Sequence, residues 1–131
     1  MTEALLCLVL ICAQGAMDAQ FEWAHLSSEY ALPPAVIVEG EIGDGARGLH
    51  RGFDDVGRAL ITVAPGLRGT ALRKTVAHEA YHVAARLRGE PYGDLAEERA
   101  ANTFAYCWIR DATYVPERPC AEALRSIPSR W

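Results

Sequence analysis

The sequence has no run of basic residues, no cysteine pair spaced CxxC and no apolar stretch of the roughly 20 residues that a membrane-spanning helix needs. Each absence removes a class of function. Lys74 is the sole lysine, and 13 basic residues stand against 17 acidic ones, for a net charge of −4. With no basic patch there is no electrostatic footprint for nucleic acid. The cysteines Cys7, Cys12, Cys107 and Cys120 stand apart, so a cysteine-built zinc site is not expected. No repeat or low-complexity tract occurs. At 131 residues, the chain has material for one core and no second one.

The longest apolar run, Ala4 to Ala13, is too short to span a bilayer but suits the core of an export signal. Ala13-Gln14-Gly15 offers the small residues a signal peptidase reads. Against this, the first four residues carry no Lys or Arg and include Glu3. Two readings follow for residues 1–19. They are a signal peptide of an exported protein, secreted or periplasmic, which is the favoured reading, or the buried first helix of a cytoplasmic one. Membrane contact is expected only through this segment, if it stays uncleaved. Cys107 and Cys120 can pair if the chain is exported and stay reduced if it is not. Residues 20–131 are expected to form a single domain.

Phe21 to Leu32 reads as a short helix, stopped by Pro33-Pro34. Ala35 to Val38, Gly48 to Phe53 and Arg58 to Ala64 read as strands, with a glycine-rich turn after the first and a hairpin turn at Asp54 to Gly57. Thr70 to Leu87 is the clearest helix, its apolar residues recurring near the 3.6-residue period. Thr70 is the expected N-cap and Gly89 the C-cap. A second long helix runs from Asp94 to about Arg110. It opens on a capping box in which Asp94 caps and Glu97 answers. From Val115 the tail is expected to be coil, with a helical turn near Ala121 to Arg125. The fold class is therefore α+β: a small antiparallel sheet of about three strands against two helices.

The chemistry lies in His78-Glu79-Ala80-Tyr81-His82. Histidines four residues apart put both imidazoles on one helix face, one turn apart, where they can share one zinc ion. Glu79 lies about 100° around the helix, beside such an ion rather than on it. From there it can take a proton from a bound water. This is the HExxH pattern of metal-dependent proteases. An open catalytic site wants a third protein ligand. The extended pattern with a third histidine is excluded, because Ala85 and Arg88 occupy its glycine and histidine positions. A glutamate from the next helix is the remaining solution, and Glu97 and Glu98 both qualify. Glu98 shares a face with Ala101, Asn102 and Ala105, whose small size lets two helices approach. Glu98 is favoured on that ground, with Glu97 kept as the alternative. Asn102, one turn beyond Glu98, can orient a ligand or make a helix–helix hydrogen bond.

Taken together, Gly48-Leu49-His50-Arg51, the strand Leu60 to Val63, the helix segment TVAHEAYHVAARL and Glu98-Arg-Ala-Ala-Asn102-Thr-Phe104-Ala105 resemble the ImmA/IrrE family of small zinc peptidases. The resemblance covers roughly Gly45 to Ala112. It implies His78, His82 and Glu98 as ligands of one Zn2+ and Glu79 as catalytic base. It departs from the family after the second helix, where Tyr106-Cys107-Trp108-Ile109 replaces the usual Leu-Leu-Met-Pro.

The function expected is a zinc-dependent metallopeptidase acting on a protein or peptide substrate. A non-catalytic zinc-binding domain, with a structural or partner-binding role, is the alternative. An accessory protein of a membrane complex, held by the N-terminal run, is a third. Leu60 to Val63 is expected to receive an extended substrate by β-addition. Tyr81, Tyr92, Tyr106 and His50 are candidate oxyanion donors that sequence does not place.

Overall fold

The computed structural model describes residues 2–91, 93–110 and 118–131, with side chains from residue 14 onward except 118 and 119. Tyr92 and the start of the tail, including Val115 and Pro116, lie outside the described residues.

A long helix α1 spans Thr2–Glu29. It joins the apolar run and the segment from Phe21 into one element, so the expected short helix at Phe21 is only its last part. No proline falls between Ala4 and Glu29 to break it. Its later turns bury Ala19, Trp23 and Leu26 in the core. Pro33-Pro34 separates it from strand β1, Ala35–Glu39. Strand β2 covers Gly48–Phe53 and β3 covers Ala59–Val63.

The sheet order is β1-β3-β2. β2 and β3 are the expected antiparallel hairpin. Asp54 closes its turn, as Oδ1 accepts from the backbone N–H groups of Val56 at 3.1 Å and Arg58 at 2.8 Å. The other pairing differs from expectation: β1 runs parallel to β3. The sheet is mixed because the chain reverses at each connection, so β1 and β3 run the same way, while the glycine-rich turn passes the end of β3 and sets β2 on its far side. One consequence corrects the expected substrate strand. β3 is hydrogen-bonded on both sides and has no free edge for β-addition; β1 and β2 are the edges.

Helix α2, Gly69–Leu87, begins one residue before the expected cap. Arg68 occupies the boundary, with no side-chain cap bond, and Thr70 lies inside the helix. Helix α3 spans Leu95–Arg110 and α4 spans Arg118–Leu124. The Cys107–Cys120 disulfide ties α4 to α3. The core gathers Leu26, Ile61, Val63, Leu72, Val76, Val83, Phe104 and Ile127 between α1, the sheet, α2 and α3. α2 and α3 pack against each other, and Ala80 and Ala84 of the one and Ala101 and Ala105 of the other are buried. These small side chains let the two backbones come close, and the facing polar residues then share one cleft.

Candidate metal centre

The cleft has a volume of about 600 Å³ and lies between α2, α3 and the first half of β2. His78 and His82 project into it from successive turns of α2, with their Nε2 atoms 3.0 Å apart. Glu98 reaches across from α3. Its Oε2 lies 3.2 Å from His78 Nε2, and its Oε1 lies 2.8 Å from His82 Nε2. Four donor atoms from three residues thus converge on one point. Bonds of about 2.05 Å in a tetrahedral site put neighbouring ligand atoms roughly 3.3 Å apart. The three residues fit a zinc ion in both donor type and spacing.

Glu79 stands beside them. The ligand-type atoms of His78, Glu79 and His82 lie within 4.8 Å of one another. Glu98, however, is the carboxylate that touches both imidazole nitrogens, while Glu79 is buried and turned to β2. There it accepts the backbone N–H of His50. Burial pushes its carboxyl up to about 7; Glu98 pushes the same way, and His82 and the His50 N–H pull against it. Burial, with His82 nearby, lowers His78, opposed by Glu98 and by a hydrogen bond with Asn102. A neutral imidazole is the state a metal ligand requires. Asn102 thus bonds His78 across the α2–α3 contact, a bond that serves ring orientation and helix–helix pairing alike.

Gly48 explains how β2 comes so near. A Cβ there would lie 2.7 Å from Thr75 Cγ2 and 3.1 Å from Glu79 Cγ. Only a glycine lets the strand edge lie on this face of α2.

Glu97 is not a fourth member of the converging set. Its Oε2 meets His82 Nδ1, on the far side of the ring from Glu98, and its Oε1 meets Arg86. The two glutamates left open by sequence therefore do different things. Half of the expected capping box is present: Asp94 Oδ1 accepts the Glu97 N–H at 3.0 Å. The Glu97 side chain does not close the box, because it is engaged by His82 and Arg86. Sequence reasoning missed Arg86, although it lies one turn beyond His82 on the same face of α2.

The candidate oxyanion donors separate as well. His50 lines the cleft, with Nε2 against the Gly52 carbonyl at 2.9 Å. Burial lowers its pKa, partly offset by that bond. Tyr81 packs toward Phe104, with ring centroids 6.2 Å apart. Tyr106 is half exposed, and its hydroxyl accepts from Arg110 Nη1 at 2.7 Å.

No family model, curated protein or solved structure matches this chain.

Proposed function

We propose that this chain is a zinc-dependent hydrolase acting on peptide bonds, with His78, His82 and Glu98 as ligands and Glu79 as proton acceptor. The observation that carries it is the convergence of two imidazole nitrogens and both Glu98 oxygens in an open cleft, beside a separate buried carboxylate. The resemblance to ImmA/IrrE peptidases points the same way. A structural site would have no use for Glu79 or for so large a cleft.

When bound, the ion would acidify a water and polarise the scissile carbonyl. Glu79 takes the proton from the attacking water and passes it to the leaving amine. β2 is the edge strand on the cleft, and an extended peptide can pair along it. Export belongs to the same proposal and is supported by the Cys107–Cys120 bond, which persists in oxidising compartments. Among the described residues no helix is long and apolar enough to cross a membrane.

The test is metal content of the full chain beside His82→Ala. One zinc per wild-type chain, lost in the variant, is expected. A wild-type chain that takes up no zinc, and whose melting temperature zinc does not raise, would overturn the reading.

A further inference from the structure

We propose that Glu97 is a positioning residue: held by Arg86, it fixes the His82 ring so that Nε2 presents a lone pair to the metal. This inference rests on the zinc reading above and adds a role to residues outside the ligand set.

The argument begins with the two nitrogens of His82. A neutral imidazole carries one N–H and one lone pair, and the group beside one nitrogen decides which is which. Glu97 Oε2 stands against Nδ1. A carboxylate oxygen accepts from the ring nitrogen it faces, so the Glu97 contact favours the hydrogen on Nδ1. Glu98 Oε1 faces Nε2 at 2.8 Å and competes in the metal-free site; the Glu97 contact tips the ring toward Nδ1–H, which leaves the Nε2 lone pair on the side of His78 Nε2, 3.0 Å away. A carboxylate behind a metal-binding histidine sets its tautomer, orients its ring and raises its basicity.

Three features hold Glu97 in this position. Arg86, whose side chain is almost fully buried, meets Oε1 and holds the carboxylate in place. Asp94 fixes the Glu97 backbone through its N–H. Gly93 supplies room: a Cβ there would lie 2.6 Å from Glu97 Cδ and 2.7 Å from Oε2. The space taken by the Glu97 carboxylate therefore favours glycine at this position.

The experiment uses the full chain and two readouts: the zinc dissociation constant by chelator competition, and the 15N spectrum of the histidines in metal-free protein. Glu97→Ala is expected to weaken zinc binding about 10- to 100-fold. It should also remove the Nδ1–H signature of His82. Glu97→Asp should recover part of both. Gly93→Ala, which leaves every polar group in place, should push the carboxylate aside and shift both readouts in the same direction by less. It also serves as the test if Glu97→Ala does not fold. Wild-type affinity and an unchanged His82 tautomer in folded Glu97→Ala would overturn the proposal and leave the zinc reading standing. A wild-type chain that binds no zinc would overturn both.

Discussion

Glu22 and Glu79 are both buried glutamates on helices, and their surroundings differ in kind. On α1, Glu22 receives Arg73 Nε at 3.0 Å on one oxygen and Trp108 Nε1 at 2.7 Å on the other. These bonds tie α1 to α2 and α3, and both oxygens are occupied. On α2, Glu79 receives the backbone N–H of His50, faces the cleft and lies near a second carboxylate, Glu98. Burial alone therefore does not mark a working carboxylate. A buried acid with cationic and indole donors is a fastener; one with few donors beside two imidazoles is available for proton transfer.

Isosteric substitution separates the two. Glu79→Gln should give the largest effect, a loss of peptide hydrolysis of about 100-fold or more. Zinc content and melting temperature should stay near wild type, because a poorly compensated buried acid is replaced by a neutral group. Full turnover in that variant would show that Glu79 is not the proton acceptor. Glu22→Gln should do the reverse. Denaturant unfolding is expected to show a loss of about 1–3 kcal/mol, since Arg73 loses its charged partner; that side chain is partly exposed, which favours the low end. Zinc content per folded chain should not change. A metal loss there would mean that the fastener also shapes the site. Gly48→Ala sharpens the contrast with a smaller effect. The added methyl meets Thr75 and Glu79 and nothing near Glu22. A cost of about 1 kcal/mol in unfolding is expected, together with a drop in kcat larger than any change in zinc content.

The shared face of His78 and His82 was legible in sequence because four-residue spacing on a helix fixes a face whatever the tertiary fold. Glu97 and Glu98 could not be separated in that way. Adjacent residues point about 100° apart, and only the placement of α3 against α2 tells which one meets the Nε2 atoms of His78 and His82 and which one passes behind the His82 ring. Strand positions were legible from β-branched runs and turn residues. The parallel pairing of β1 with β3 was not, since it depends on the path of the Gly40–Arg47 connection rather than on any strand's own pattern. The fusion of the apolar run with the Phe21 segment was missed for a related reason. The small residues of Ala13-Gln14-Gly15 suggested the end of an export signal, yet no residue there forbids helix.

β3 lies between two neighbours of opposite direction. An insertion of one residue within Ala59–Val63 would therefore throw both ladders out of register together and turn Ile61 and Val63 away from the core. The same insertion in the Asp54–Gly57 turn or the glycine-rich connection before β2 would be absorbed at the surface. Length variation in this fold is thus tolerated on either side of the central strand and not within it.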